Sequence, residues 1–235
     1  MAQQTVAPTS QTPAQKASGR GAAFWVGVVL ITAGVVVLGY VGWQFFGTNV
    51  VSHHKQQQLV DQTRRAWSQG QSTSIKGNGV QLKGAEALIR IPRFGEDYVM
   101  PVQRGVGDQV LAEGFGHFTQ SAAPGQVGNY ALAAHRVTHG EPLRNMPELR
   151  PGDKVVVETQ KRTYTYRLDT DPNRLIVPFT SIWVISPLPA NPQPGGVQPA
   201  QRGGQRLITL TTCSELFHTD NRMIAFGHLI GSRPS

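Results

Sequence analysis

The most apolar part of the chain is an uncharged segment of 23 residues from Phe24 to Phe46. A helix of that length rises roughly 35 Å, which is enough to cross the hydrocarbon core of a membrane. Trp25 lies near one end, and Tyr40 and Trp43 lie near the other, where aromatic rings favour the membrane interface. The segment is longer than the apolar region of a cleaved signal peptide. We therefore predict a membrane anchor that is retained.

Beyond this segment the pattern of hydrophobic and polar positions changes twice. The polar stretch Val51–Gln71 is compatible with a helix beside the membrane, and the Gly- and Ser-rich stretch Ser68–Gly84 indicates a linker. From Glu86 onward, short β-type runs alternate with turn residues. The clearest pair is Lys154–Glu158 with the alternating run Arg162–Leu168, which together predict a hairpin.

Many such short strands with few helices favour an all-β domain, in which a closed eight-stranded barrel removes the exposed strand edges. The other predicted strands cover residues 87–91, 98–102, 114–118, 129–134, 182–185, 206–212 and 222–230. The chain is accordingly divided into a disordered tail (1–21), a transmembrane anchor (22–46), a juxtamembrane segment and linker (47–84) and a β domain (85–235).

The charge of the chain is concentrated around the anchor. The net charge is +8, of which the tail before the anchor contributes +2 and residues 47–83 contribute +4. This distribution suits anionic lipid or an anionic cell wall, and the absence of a basic stripe with interleaved aromatic residues argues against nucleic acid. Positive charge is nearly balanced across the anchor. We place the N-terminus inside because the tail is short and polar. The long C-terminal part is the only candidate domain, and the chemistry that its residues suggest, described below, belongs outside.

Cys213 is the only cysteine, so the chain can form neither an internal disulfide nor a cysteine-based metal site. A free cysteine is most often a small buried apolar residue. Cys213, however, ends a predicted strand, and strand alternation places it on the same face as Thr209 and Thr211. A strand end can present a side chain to a cleft. A thiol attacks a carbonyl as a thiolate, which requires a nearby base or cation.

Two residues are the leading candidates for partners of Cys213. His135 follows the apolar run Tyr130–Ala134 and therefore also lies at a strand end. Arg222 begins the last strand nine positions after Cys213, so an antiparallel pairing would bring it beside the thiol, where a guanidinium can stabilise an oxyanion. His117 also lies near a strand end and is predicted to line the same cleft.

Three separate sequence motifs give the chain a resemblance to a known family. Thr-Leu-Thr-Thr-Cys at 209–213, Ala-His-Arg at 134–136 and Asn-Arg-Met-Ile at 221–224 resemble the sortase signature in the correct order. The first of these, the run of residues 125–136 and the Leu-Arg-Pro-Gly-Asp turn at 149–153 are similar to class E sortases of actinobacteria. The resemblance covers roughly residues 85–235.

The resemblance implies an eight-stranded β-barrel cysteine transpeptidase that uses neither a metal nor a cofactor. Cys213 would attack the Thr–Gly carbonyl of a C-terminal sorting signal, His135 would transfer protons, and Arg222 would hold the oxyanion. The signal would be LAXTG or LPXTG. Tyr98 is predicted to discriminate its second position, and Thr211, Thr212 and His117 are the other predicted substrate-binding residues.

The implied partners are membrane lipid, secreted proteins that carry a sorting signal, and an amine of the peptidoglycan precursor. The implied location is a single-pass membrane protein with an extracellular catalytic domain. Three alternatives remain open: a sortase that polymerises pilins, a cell-wall cysteine hydrolase or L,D-transpeptidase, and a tethered binding module with a buried cysteine. Against the second, L,D-transpeptidases place His next to Cys, and papain-like folds place Cys before His.

Overall fold

The computed structural model describes residues 20–43, 48–71, 84–213 and 220–235. The chain divides into two compact units, Met1–Gly42 and Trp43–Ser235. In the first, helix α1 runs from Arg20 to Gly42, and its 20 residues Ala23–Gly42 are long and apolar enough to span a membrane. The predicted tail (1–21) lies almost wholly outside the described residues, as does the end of the predicted anchor beyond residue 43.

The second unit begins with helix α2, Thr48–Ser68. The polar helix predicted for Val51–Gln71 is confirmed, with both ends shifted three residues towards the N-terminus. Most of the predicted linker lies outside the described residues, which resume at residue 84. The strands that follow are β1 (Ala87–Arg90), β2 (Met100–Arg104), β3 (Phe115–His117), β4 (Gly128–Ala133), β5 (Lys154–Glu158), β6 (Arg162–Leu168), β7 (Ile176–Pro178), β8 (Arg206–Cys213) and β9 (Asn221–Pro234), with a short helix α3 (Asp108–Leu111).

Eight of these strands form a closed barrel, as the sequence predicts. Neighbouring strands follow the order β6-β5-β1-β2-β3-β4-β8-β9, and pairing of β9 with β6 closes the ring. The β2–β3 and β4–β8 pairs are parallel, whereas the other pairs are antiparallel. The long strand β9 pairs with three strands: with β8, with β6, and through its first residues with the short strand β7.

The barrel interior is a packed apolar core that holds the strand ends in place. Side chains that are almost completely removed from solvent include Ile89, Phe115, Tyr130, Leu132 and Leu210. Burial of one such aliphatic or aromatic side chain stabilises a fold by about 1.5–3 kcal/mol. A second cluster, formed by Leu175, Val184, Ile224 and Phe226, packs outside this core.

The strand predicted at Ile182–Ile185 is wrong, because this segment is a turn of 3-10 helix. Its β-branched residues favour a strand locally, but tertiary contacts decide otherwise. The carbonyl oxygen of Val184 accepts hydrogen bonds from the side chains of Asn129 and Thr209 and so needs no neighbouring strand. Trp183 packs against Phe226, with ring centroids 6.0 Å apart. The segment therefore lies along β4 and β8.

Candidate active site

Cys213 and Arg222 face each other across the last strand pair. In the antiparallel β8–β9 register, Cys213 is directly opposite Arg222. Directly opposed residues of an antiparallel pair project from the same face of the sheet, with Cβ atoms about 5 Å apart. Cys213 is partly exposed at the end of its strand. The antiparallel pairing of Cys213 with Arg222 that the sequence predicts is therefore present.

His135 is brought to the same strand end by the parallel pairing of β4 with β8. Ala133 is in register with Thr211, so His135 lies two residues further along, level with Cys213. Two hydrogen bonds extend the pairing beyond β4: the amide of Ala134 donates to the Thr211 carbonyl (3.2 Å), and Thr212 Oγ1 donates to the Ala134 carbonyl (2.7 Å). The buried Thr212 hydroxyl thus fixes the backbone immediately before the histidine.

Arg136, which follows β4, also connects this segment to the end of β8. Its Nε donates to the backbone carbonyl of Cys213 over 2.7 Å. A charge-assisted hydrogen bond of this kind is roughly twice as strong as a neutral one. Sequence reasoning did not assign Arg136 a role, although it directly follows His135.

Cys213, His135 and Arg222 line one cavity of about 490 Å³. Its wall is largely apolar, and at its rim Phe179 is 62% exposed and Ile182 is 75% exposed. The guanidinium of Arg222 lies 6.0 Å from the centre of the Phe179 ring, within range of a cation–π contact. The other lining residues are Val106, Asp108, Leu111, Phe118, Ala133, Ala134, Arg136, Val137, Thr138, Val177, Pro178, Ser181, Val184, Ile185, Thr211 and Thr212.

His135 is neutral at pH 7 because of its surroundings. Burial is the largest cause that lowers its pKa to about 4; the nearby His139 and Arg222 act in the same direction, whereas Asp108 acts in the opposite direction. The ring of His135 stacks on that of His139, with centroids 4.8 Å apart and planes 27° apart. A neutral imidazole can accept the proton of a thiol, and a guanidinium can stabilise an oxyanion, so the cavity is lined by the residue types that acyl transfer by a cysteine requires.

The predicted substrate-binding residues do not all line the cavity. Thr211 and Thr212 are among the residues that line the cavity. Tyr98 precedes β2 and is not among the described residues that line it. The Tyr98 hydroxyl instead donates to the carbonyl of Pro142 over 2.5 Å, in the loop that follows His135. Burial raises the pKa of Tyr98 well above its usual value, so the hydroxyl remains a donor.

His117 does not lie in the cleft as predicted. This residue ends β3 and is 4% exposed. Its Nδ1 lies 2.7 Å from a carboxylate oxygen of Glu86, and its Nε2 lies 3.1 Å from the Ala122 carbonyl. The ring packs edge-on against Tyr130. Both ring nitrogens therefore face protein groups, and His117 is not among the described residues that line the cavity.

A closed barrel with Cys213, Arg222 and His135 at one rim defines a candidate cysteine acyltransferase. Comparison with known proteins is more specific, because a sortase domain matches residues 89–230. The chain therefore belongs to the sortase family.

The chain is similar to two sortases of Streptomyces coelicolor. The chain is 36% identical to the sortase SrtE1 of Streptomyces coelicolor over 89% of its own length and 57% of that protein. It is 28% identical to SrtE2 of the same organism over 87% of this chain and 81% of that protein. The chain thus spans little more than half the length of SrtE1.

Solved structures of this family have the same fold. Sortase E from Streptomyces avermitilis is 37% identical, with a TM-score of 0.56, over 64% of this chain and 90% of that chain. Sortase E1 from Streptomyces coelicolor, solved with a tripeptide in its active site, is 33% identical, with a TM-score of 0.54, over the same shares.

Proposed function

We propose that this protein is a cysteine transpeptidase that cleaves a C-terminal LAXTG- or LPXTG-like sorting signal between Thr and Gly. It joins the freed Thr carboxyl group to an amine of the cell-wall precursor. The observation that carries this proposal is the meeting of Cys213, Arg222 and His135 at one rim of the barrel, in a cavity large enough for a peptide segment.

In the first half of the proposed reaction, the sulfur of Cys213 attacks the Thr carbonyl carbon. Neutral His135 accepts the thiol proton as the carbon–sulfur bond forms, because its pKa of about 4 leaves it unprotonated at pH 7. The resulting imidazolium gives that proton to the Gly nitrogen as the Thr–Gly bond breaks. A thioester at Cys213 remains, and the Gly-terminated fragment leaves as an amine.

The second half reverses these proton transfers. An amine attacks the thioester, His135 accepts a proton from the amine nitrogen, and the sulfur of Cys213 leaves and recovers that proton. The guanidinium of Arg222 donates to the oxygen that becomes negative in both halves. A guanidinium that is already held in position stabilises this oxyanion more than water does, because it does not have to reorient during the reaction.

The apolar lining of the cavity supports a peptide substrate with uncharged side chains. The exposed side chains of Phe179 and Ile182 at the rim offer contact area to an extended peptide. Sortase E1 of Streptomyces coelicolor holds a tripeptide in its active site, which agrees with this use of the cleft. Preference for LAXTG over LPXTG is part of the proposal, with Tyr98 acting through the loop that it supports.

Mass spectrometry of the full chain in detergent, mixed with an LAXTG peptide, tests the proposal directly. We expect the protein mass to increase by that of the acyl fragment ending in Thr, which is the free peptide acid less one water, with the modification at Cys213. Addition of an amine nucleophile should release the fragment as an amide. Release only as the free acid, even with excess amine, would identify a hydrolase instead. The absence of any adduct or cleavage with both LAXTG and LPXTG peptides would contradict the proposed substrate.

We also propose that residues 22–46 anchor the protein in the membrane, with the tail of residues 1–21 inside and the catalytic domain of residues 85–235 outside. Helix α1 meets the length and composition that a membrane span requires, and sortases are typically anchored in this way. The substrates proposed here are secreted proteins and the wall precursor, which lie outside the membrane.

Labelling of intact cells with a membrane-impermeant maleimide tests this orientation, because Cys213 is the only thiol in the chain and is partly exposed. We expect Cys213 to be labelled before lysis. Labelling only after lysis with the membrane opened, and with the barrel still folded, would place the catalytic domain inside.

A further inference from the structure

The loop that follows His135 lies against helix α2. We propose that α2 is part of the active site: Asn49 and Gln56 hold the turn of residues 139–141 so that His139 stacks on His135 and sets the position of its ring. His139, Asn49 and Gln56 would then be positioning residues. The inference rests on the catalytic role proposed above for His135.

Three hydrogen bonds connect α2 to the turn. The side chain of Asn49 accepts from the amide of Gly140 and donates to the carboxylate of Glu141, both over 2.9 Å. Gln56 Nε2 donates to the carbonyl of His139 over 3.0 Å. Gln56 is only 2% exposed, so this bond is shielded from water and worth more than a surface contact.

The backbone of the turn needs such support. His139, Gly140 and Glu141 have φ angles of 54°, 76° and 49°, so three successive residues are left-handed. A left-handed conformation costs roughly 1–2 kcal/mol for each residue other than glycine, and it persists where the surroundings determine it. A Cβ atom at Gly140 would lie 2.7 Å from both the nitrogen and the oxygen of the Gln56 amide. The turn and the helix are therefore fitted closely to each other.

Helix α2 is itself firmly attached to the barrel. Its contact residues recur every three or four positions and so share one face of the helix. Thr63 Oγ1 accepts a hydrogen bond from the amide of Ala85 over 2.9 Å, and Val60 and Trp67 pack with Ala85 and Leu88. The residues of this face are Asn49, Ser52, Gln56, Val60, Thr63 and Trp67. Because the barrel wall holds the helix in place, the helix can hold the turn in place.

The far end of the loop is also fixed, which leaves the ring of His139 with little freedom. The Tyr98 hydroxyl donates to the Pro142 carbonyl, and the amide of Leu143 donates to the carbonyl of His135 over 2.9 Å. The loop thus leaves from His135 and returns to it, with the turn on α2 between. The stacked His139 ring shields one side of His135 from water and orients the imidazole.

Four other groups act on or lie near His135, and they remain unchanged in the test below. Cys213 ends β8, Arg222 faces it from β9, Asp108 comes from α3, and Arg136 is the next residue in the chain. A change in the titration of His135 on replacement of His139 therefore reports on the stack itself.

The test compares the full chain in detergent with His139→Asn, Gln56→Ala and the matched control Gln57→Ala, which alters an exposed glutamine on the same helix. Asparagine tolerates a left-handed backbone, so His139→Asn removes the ring while keeping the turn. The titration of His135 is followed by NMR of ring-labelled histidine, assigned with His135→Gln. In His139→Asn we expect the pKa of His135 to rise from about 4 towards 6.5, because burial and charge repulsion both decrease.

Turnover of the sorting peptide supplies the second measurement. We expect kcat to fall about 10- to 100-fold in His139→Asn with little change in KM, because a small misplacement of a proton-transfer group carries a cost of that size. Gln56→Ala should change both properties in the same direction and less strongly. Gln57→Ala should change neither. Assays are run well below the Tm of each variant.

Unchanged titration and turnover in His139→Asn would overturn the inference. It would also be overturned if Gln56→Ala lowered the Tm but left both measurements unchanged, because α2 would then be a structural support only. If the wild-type chain formed no thioester with any sorting peptide, the proposed function would fail, yet the NMR titration would still decide whether α2 and His139 set the state of His135.

Discussion

Replacement of Cys213 with alanine is expected to abolish both cleavage and transfer of a sorting peptide while the barrel remains folded. The substitution removes the sulfur that forms the thioester, and loss of a nucleophile typically lowers kcat on the order of 10⁶-fold. Cys213 is partly exposed at a strand end, so the substitution leaves the packed interior intact. Turnover measured by chromatography of the peptide products, together with the Tm, separates the two effects.

The lone thiol makes the controls for this experiment unusually clear. Alkylation of the wild-type chain modifies only Cys213, so inactivation by iodoacetamide should match the loss in Cys213→Ala. Cys213→Ser should also be inactive, because a serine hydroxyl is a much weaker nucleophile without a stronger base. Both variants should still bind the peptide. Measurable thioester-dependent transfer by Cys213→Ala would assign the chemistry to another residue and remove the basis of the proposed mechanism.

The meeting of Cys213, His135 and Arg222 could be predicted because each lies at a strand end, where sequence and geometry are closely linked. A nine-position spacing is enough for β8 to turn back into β9, and the register then opposes Cys213 and Arg222. The apolar run before His135 predicts a buried strand, and β4 is indeed that strand. Family resemblance supplied the roles, and the strand pattern supplied the positions.

The parts that could not be predicted depend on contacts between residues far apart in the sequence. The Gln56 and Asn49 contacts with the His139–Glu141 turn join positions 83 and 92 residues apart. They involve polar side chains on a polar helix, so no hydrophobic periodicity reveals them. Ile182–Ile185 reads locally as a strand, yet the side chains of Asn129 and Thr209 bind the carbonyl of Val184. In both cases tertiary polar contacts override the local signal.

His117 is another residue for which the local sequence signal is misleading. Its position near a strand end resembles that of His135, but β3 pairs with β2 and β4 rather than with β8. The Glu86 carboxylate lies beside one of its ring nitrogens, and the Ala122 carbonyl lies beside the other. A strand end is therefore a useful indicator of a site only when its strand adjoins the one that carries the nucleophile.

Substitution of Arg222 with lysine is expected to lower kcat about 100-fold, because a lysine keeps the positive charge but not the planar fork that reaches the oxyanion. The guanidinium is held between the carbonyl of Asn221, to which Nη1 donates over 3.1 Å, and the ring of Phe179. An ammonium group on a flexible stem does not reproduce this orientation. Single-turnover formation of the thioester, followed by rapid-quench mass spectrometry, measures the affected step.

Arg233→Lys provides a matched control, because Arg233 is exposed near the other end of the same strand. That variant should form the thioester at the wild-type rate. Arg222→Lys should keep its Tm within a few degrees and bind the peptide with nearly unchanged affinity, since the lost interaction is strongest in the transition state. A large rise in KM with unchanged kcat would instead make Arg222 a residue that binds the substrate without stabilising the oxyanion.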